Sequence, residues 1–432
     1  MKVAFLHPDL GLGGAERLVV DAAVELVHHG HSVDMFTAFY DRRRCFEETQ
    51  SGIFNVIVAG SWFPRHILGR CLALCAYIRC ILVALHIAWG HKVQYDVIIV
   101  DQVSAVIPVL KLLTSSRILF YCHFPDMLLA ERRSAIKRLY RAPLDWVEQH
   151  TTGQADLVLV NSRFTAGIFA STFQRLAKRK LEPQVLYPAV AVPAASTLLA
   201  AQAGWREVLG AELAGWAQGG PLLLSINRFE RKKGIALAVL ALKELHAGGS
   251  DSSSSSSATD AATAAFLGVR LVLAGGYDSR LPENVEHFEE LQQLVRELGL
   301  QEEVRFLPSF TDKQRSALLA ACTAVIYTPQ HEHFGIVPLE AMVAGRPVLA
   351  ANSGGPTESV VHGVTGFLCD PTPSAFASAA RQLLAQGGAK AHSMGEAARA
   401  HVVDRFSRAA FGKQLDSYIK GLVKQGEAPR AG

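Results

Sequence analysis

Short apolar runs recur along this 432-residue chain, each closed by a turn and followed by a stretch of helical spacing. The first run, Val3–His7, ends at Pro8-Asp9 and the turn Gly11-Leu12-Gly13-Gly14. Ala15–His29 then places Leu18, Val19, Ala22, Ala23 and Leu26 three or four positions apart and stops at Gly30; Ser32–Thr37 is the next run. That spacing predicts helices, and the short runs bounded by turn signals predict buried strands. Their alternation is the mark of a parallel α/β sheet. Further strands are expected at Asp96–Val100, Ile118–Tyr121, Leu157–Val160 and Val185–Tyr187. A second series begins with strand Leu222–Ile226 and helix Ile235–Leu245. It continues through strand Arg270–Ala274, helix Val285–Leu298, strand Val304–Phe306, helix Asp312–Ala321, strand Ala324–Thr328, helix Pro338–Ala344 and strand Pro347–Ala350. The expected fold is therefore two consecutive doubly wound α/β units. Such sheets bind ligands at the carboxyl ends of their strands, so two of them face to face would form a cleft between domains.

The expected division is a first domain over 1–190, a Pro- and Ala-rich linker over 191–220, a second domain over 221–405 and a C-terminal helical segment over 406–432. With 50% hydrophobic and 19% charged residues, global disorder and coiled coil are excluded. A net charge of +4 is too weak to argue for nucleic acid. Residues 1–190 carry 21 Lys and Arg against 16 Asp and Glu, and the remainder 22 against 23, so an anionic surface would meet the first half. Seven scattered cysteines without a C-x-x-C pair suit buried thiols in a reducing compartment. Met1–Gly14 is not read as a secretory signal, because its apolar run is five residues long and Pro8 follows. Gly248–Ala265, with its six serines Ser252–Ser257, reads as a disordered surface insertion without chemistry. Cys71–Trp89 contains Arg79 and His86 as its basic residues and no acidic one. It is read as a helix dipped into one leaflet of a membrane, with a buried core helix and a full span as alternatives.

Several segments could carry chemistry. Gly11–Gly14 lies between strand and helix, where backbone N–H groups can face an anion. Glu16 occupies the third glycine position of the dinucleotide fingerprint, which disfavours a nicotinamide enzyme; a plain tight turn is the alternative. Asn227–Gly234 follows strand Leu222–Ile226 with four cations, Arg228, Arg231, Lys232 and Lys233. These suit a diphosphate, or else form a solvated charge run. His331–Glu340 places Glu332 in a loop and Glu340 near a helix start at Pro338, two carboxylates able to hold the sugar and ribose hydroxyls of a nucleotide sugar. A metal site built on His331 and His333 is weak, since a zincin needs H-E-x-x-H on a helix. Ser353–Glu358 is another glycine turn before a helix, able to hold phosphate or simply to cap. Tyr121–Asp126 puts His123 after a strand, facing the expected cleft or serving structure. Glu131–Arg141, with five cations and one acid, could face anionic lipid or a pyrophosphate, or be a solvated helix face.

The two α/β units, the E-x7-E element from Glu332 to Glu340, and Arg228 with Lys233 together resemble retaining glycosyltransferases with two facing Rossmann-like domains (GT-B type). HPDLGLGGAERLVVDAA, LFYCHFPDMLL, RLYRAPLDW, LLLSINRFERKKG and HEHFGIVPLEAM resemble, more narrowly, the mannosyltransferases that assemble dolichol-linked oligosaccharide. The likeness runs from Val3 to about Tyr418. It implies GDP-mannose as donor, held mainly by the second domain, and a mannosyl-chitobiosyl diphosphodolichol acceptor. The acceptor would be met at the cytosolic face of the endoplasmic reticulum membrane and receive an alpha-1,3 and an alpha-1,6 mannose. Arg228 and Lys233 would hold the diphosphate without an essential metal or cofactor. Glu332 would contact the mannose and Glu340 the ribose. Gly335, Ile336 and Val337 would offer backbone contacts, Gly13 and Gly14 would lie near the donor phosphates, and His123 beside the transferred sugar. Glu332, His123 and Lys233 are thus the expected catalytic residues. Retention would proceed by departure and attack on one face. The last helix, Ala409–Val423, would cross back to the first domain. Other early mannosyltransferases of the same assembly are possible partners; nucleic acid is not. The rival readings are a glycosyltransferase using another nucleotide sugar, such as UDP-glucose, and a non-catalytic scaffold.

Overall fold

Thirteen strands, all paired in parallel, form two sheets in the described residues of the structure, a computed structural model that describes residues 1–67, 71–90, 93–129, 135–248, 266 and 268–427. The first sheet contains β1 (Lys2–Leu10), β2 (Ser32–Tyr40), β3 (Asn55–Val58), β4 (Val97–Asp101), β5 (Arg117–Cys122), β6 (Leu157–Val160) and β7 (Gln184–Val185). Its order is β3-β2-β1-β4-β5-β6-β7. The second contains β8 (Leu222–Ile226), β9 (Arg270–Gly275), β10 (Val304–Pro308), β11 (Ala324–Tyr327), β12 (Val348–Ala351) and β13 (Gly366–Cys369), in the order β10-β9-β8-β11-β12-β13. Both orders reverse direction at one point, between β1 and β4 and between β8 and β11. In sheets of this doubly wound type the ligand sits at that reversal, outside the carboxyl ends of the strands. The chain divides into unit 1, Met1–Ala189 with the C-terminal segment from Ser407, and unit 2, Val190–Phe406.

In unit 1, β1 runs three residues past its expected end. Pro8 lacks an N–H, but Asp9 and Leu10 stay in register with Phe39 and Tyr40, and the Thr37 hydroxyl donates to the Pro8 carbonyl at 3.2 Å. The helix Gly14–His28 buries Leu18, Val19, Ala22, Ala23 and Leu26, the residues its spacing marks. Against it packs the last helix, Arg408–Glu427, through Phe411, Leu415, Ile419 and Leu422. Those four side chains contribute roughly 6–12 kcal/mol of gross burial. Arg408 adds ion pairs to Asp21 at 2.8 Å and Glu48 at 3.5 Å, and Asp416 accepts from buried His31 at 2.7 Å.

The apolar segment forms the helix Leu72–Leu85, extended by a wider turn over His86–Gly90. By length and composition Leu72–Gly90 could cross a membrane. One face is nevertheless a core face, with Cys75, Tyr77, Cys80, Val83 and Ala84 buried against β1, β2 and β4 neighbours. Arg79, in the middle of this apolar segment, is 5% exposed inside the protein. It donates to the Ala38 carbonyl at 2.8 Å and pairs with Asp9 at 3.1 Å. Leu72, Leu74 and Trp89 remain exposed.

The segment expected as a linker carries the helices Ala195–Leu209 and Ala211–Ala217. Alanine favours helix without needing a buried stripe, which is why periodicity missed them. No residue of Ala195–Leu209 is buried. The serine-rich insertion lies outside the described residues from 249 to 265, as do residues 131–134 of the basic segment. Every cysteine is free, with Cys75, Cys80, Cys122, Cys322 and Cys369 buried.

Candidate active site

Unit 2 gathers its chemistry where its strand order reverses. After β8 the chain makes the turn Asn227–Gly234, and after β11 the loop from Thr328 to Gly335. The Thr328 hydroxyl donates to the Lys233 carbonyl at 2.9 Å and ties the two together. Lys233 Nζ then reaches Glu332 Oε2 at 2.5 Å, and the buried Tyr327 hydroxyl donates to the same oxygen at 3.2 Å. The four cations of this turn divide in use. Arg231 is drawn outward to Glu286 at 3.0 Å and Glu290 at 2.5 Å. Arg228 and Lys232 both pair with the buried Glu230, at 2.8 and 3.1 Å, with their side chains mostly exposed. Lys233 alone is largely buried, its side chain 13% exposed.

Glu340 sits on the helix Ile336–Val343, whose N-cap is Gly335. Pro338 is the third residue of that helix rather than its first, so Glu340 falls in the second turn. Arg315, from the helix Asp312–Ala321, donates to Glu340 Oε1 at 2.6 Å. Glu340 Oε2 is buried and has no hydrogen-bond partner among the described residues. Burial raises the Glu340 pKa above the ordinary carboxylate value, and the charge and hydrogen bond of Arg315 oppose that rise. An oxygen in this state is an acceptor able to take a hydrogen bond from a hydroxyl donor. Gly335 has φ +82°, and a Cβ there would stand 3.1 Å from the Tyr327 hydroxyl, so glycine is required to let the loop turn into the helix. His331, a non-glycine residue at φ +55°, bends the start of the same loop.

Ser353–Glu358, read as a phosphate cradle or a capping turn, holds this loop. The Ser353 hydroxyl accepts from His331 N at 3.0 Å, and Gly355 N donates to the Glu332 carbonyl at 2.8 Å. A Cβ on Gly355 would collide with the Phe334 backbone. The helix that follows, Pro356–Ser359, is a single turn.

Unit 1 has its own cluster at the reversal between β1 and β4. Asp101 ends β4 and is 1% exposed. Its Oδ2 pairs with His7 Nδ1 and its Oδ1 with His123 Nε2, both at 2.8 Å. His7 Nε2 lies 4.0 Å from Glu16 Oε1. Burial alone lowers the His7 pKa, but hydrogen bonds and charge from Asp101 and Glu16 outweigh it and lift it to about 9. Burial likewise raises Asp101, yet the charge and hydrogen bond of His123, with those of His7, bring it down to about 2. His123 is about one-fifth exposed and stands edge-on to Tyr121, ring centroids 4.8 Å apart. Gly13 caps the helix Gly14–His28 and Gly14 opens it, with open space around the Gly14 Cβ position.

The backbone after His123 is fixed from two sides. Asn161 donates to the His123 carbonyl at 3.0 Å, and Glu148 accepts from Asp126 N at 2.7 Å and Met127 N at 2.9 Å. Of the basic segment read as facing lipid, a pyrophosphate or solvent, Arg141 is instead buried and paired with Asp126 at 2.7 Å and Asp145 at 3.2 Å. Sequence reasoning singled out Lys233, Glu332, Glu340 and His123. It did not find Tyr327, Arg315, His7 or Asp101. Among the described residues no group of three or more His, Cys, Asp and Glu side chains is placed to hold a metal ion.

Residues 213–401 match the family described as Glycosyl transferases group 1, and residues 12–192 match Glycosyltransferase Family 4. The chain is 46% identical over 425 residues to "Alpha-1,3/1,6-mannosyltransferase ALG2" of Mus musculus, covering 98% of this chain and 96% of that one. It is 44% identical to the protein of the same name from Dictyostelium discoideum, with 98% of each chain covered. Among solved structures, sucrose-phosphate synthase from Thermosynechococcus elongatus superposes with a TM-score of 0.68 over 98% of this chain and 99% of that one, at 22% identity. That likeness concerns the fold.

Proposed function

The chain belongs to the family of alpha-1,3/1,6-mannosyltransferases of N-glycan precursor synthesis, glycosyltransferases of GT-B fold, and from that premise we propose how its residues serve the transfer. The donor is GDP-mannose and the acceptor a mannosyl-chitobiosyl diphosphate carried on dolichol. The observation that supports the donor site best is the meeting of Lys233 and Glu332 where β8 and β11 end. A diphosphate leaving group gains negative charge as the sugar bond breaks, and fixed cations stabilise that charge most where water is excluded. Lys233 is the fixed cation. Arg228, on an exposed arm, closes on the phosphates bidentately.

Glu340 accepts a ribose hydroxyl at Oε2, the oxygen that has no protein partner. Glu332 accepts from the mannose, and its 2.5 Å contact with Lys233 is exchanged for contacts to the substrate when the donor binds. Gly335, Ile336 and Val337 offer main-chain contacts at the helix start. Gly13 and Gly14 offer backbone N–H groups at a second helix start. His123 contacts the transferred sugar. A lipid-borne acceptor requires an enzyme at a membrane surface, here the cytosolic face of the endoplasmic reticulum. The exposed Trp62, Leu72, Leu74 and Trp89 of unit 1 suit such a surface.

Purified protein given GDP-mannose and the mannosyl-chitobiosyl diphosphate lipid should yield a product heavier by two hexoses, one alpha-1,3 and one alpha-1,6 linked. Turnover of UDP-glucose in place of GDP-mannose would overturn the donor assignment.

A further inference from the structure

His123 does not stand alone. Its Nε2 meets a carboxylate whose second oxygen is held by another imidazole, and both supporting side chains, His7 and Asp101, are 1% exposed. An ionised carboxylate only accepts hydrogen bonds. Asp101 therefore takes the Nε2–H of His123 at one oxygen and the Nδ1–H of His7 at the other. Isolating such a carboxylate from water costs several kcal/mol unless both oxygens are met, and here each meets one ring. His123 Nδ1 has no hydrogen-bond partner among the described residues.

The main chain around this trio is held separately. Gln102, directly after Asp101, takes a left-handed φ of +63°, an uncommon conformation for a non-glycine residue that fixes how β4 ends. The backbone of 123–127 is pinned by Asn161 and Glu148. Asp101 and His7 are thus not needed to hold the loop; what they hold is the ring.

We propose that Asp101 and His7 are positioning residues for His123, fixing its tautomer and ring angle so that Nδ1 is the nitrogen left for the substrate. This rests on the reading of His123 as the residue beside the transferred sugar. Asp101 orients the ring directly, and His7, cationic between Asp101 and Glu16, keeps the carboxylate ionised and aimed.

A double-mutant cycle tests it, with Asp101→Asn, His123→Ala and their combination assayed on GDP-mannose and the lipid acceptor. Misaiming a substrate-contacting group costs roughly tenfold to a hundredfold in rate. Asp101→Asn should lose about that much in kcat while KM for GDP-mannose moves less than about threefold, because the contacts assigned to the nucleotide and diphosphate at Lys233, Arg228 and Glu340 are untouched. On the His123→Ala background the same substitution should change kcat less than about twofold, since residues acting as a unit are not additive. Full multiplicative loss on that background would show that Asp101 serves structure, and the positioning role would fall while His123 kept its own. Wild-type activity in His123→Ala would remove the assignment of His123 and the proposal with it. Should Asp101→Asn fail to fold, as read by its melting temperature, His7→Gln enters the same cycle with the carboxylate intact and the same dependence on His123 is expected.

Discussion

Arg315 offers the sharpest quantitative test of the donor side, because its partner is a carboxylate with nowhere else to turn. The pair is 2.6 Å long, with side chains 35% and 21% exposed. Removing one partner of a fully buried ion pair costs about 3–5 kcal/mol. Partial exposure lets water screen the orphaned charge, so Arg315→Met should cost roughly 1–3 kcal/mol. For a unit of this size that lowers the melting temperature by about 3–10 °C. Burial already raises the Glu340 pKa and Arg315 opposes the rise, so removing Arg315 sends it higher still. The carboxylate of the variant then protonates at a higher pH than that of the wild type. The KM for GDP-mannose should rise most in acid and recover toward alkaline pH. Adding Glu340→Gln removes the orphaned charge, so the double variant should melt above the Arg315→Met single variant. Calorimetry and donor-dependent kinetics at several pH values read both effects. A double variant destabilised by the sum of its two singles would refute the reasoning.

Three further outcomes follow from the same geometry. Lys233→Met should lower kcat/KM about a hundredfold or more, as loss of a preorganised donor does, and should also cost roughly 1–3 kcal/mol in stability by leaving the partly buried Glu332 unpaired; steady-state activity within threefold of wild type, measured below the melting transition, would remove Lys233 from the donor site. Glu148 is pushed up to about 7, by burial first and then by the neighbouring Asp126 charge, against the lowering by its two backbone N–H bonds. Its folded pKa exceeds the ordinary value of 4.5, so the folded state keeps the proton longer and loses stability as pH rises from about 4.5 to 7, by at most roughly 3 kcal/mol. Glu148→Gln lacks that loss, so urea titrations should show the variant gaining on the wild type between about pH 5 and pH 8; a gap that does not vary with pH would contradict the assignment. Gly355→Ala forces a Cβ into the Phe334 backbone and should cost about 1–3 kcal/mol, raising KM for the donor as the Glu332 loop shifts. Unchanged melting and KM together would show that the loop does not depend on this close approach.

What could be read from the sequence, and what could not, divides along one physical line. The strand and helix periods place the ends of β8 and β11, and with them Lys233, Glu332 and Glu340, because in a doubly wound sheet the loop after a strand and the start of the helix it leads into have their positions set by topology. Asp101 was legible by that rule and missed. It is the ionisable residue that closes an all-apolar strand, one position beyond the expected end of β4, and His7 likewise falls within the C-terminal half of β1. Arg315, Glu148 and Arg79 were not legible, because each is carried by a helix whose azimuth is settled only when it packs.

Arg79 shows the consequence most clearly. Hydropathy sums residues one at a time and weighs a lone arginine in a 19-residue apolar segment as a cost to be set against a membrane. Its partner, Asp9, lies 70 positions earlier, at the carboxyl end of β1. The ion pair turns the arginine side of the helix inward and leaves Leu72, Leu74 and Trp89 outward. A charge that appeared to weaken membrane contact thus fixes which face of the helix is free to make it. Because Asp9 also pairs with Arg65 at 3.0 Å and precedes Gly11–Gly14, the outward apolar face and the glycine turn at the end of β1 are anchored through one carboxylate.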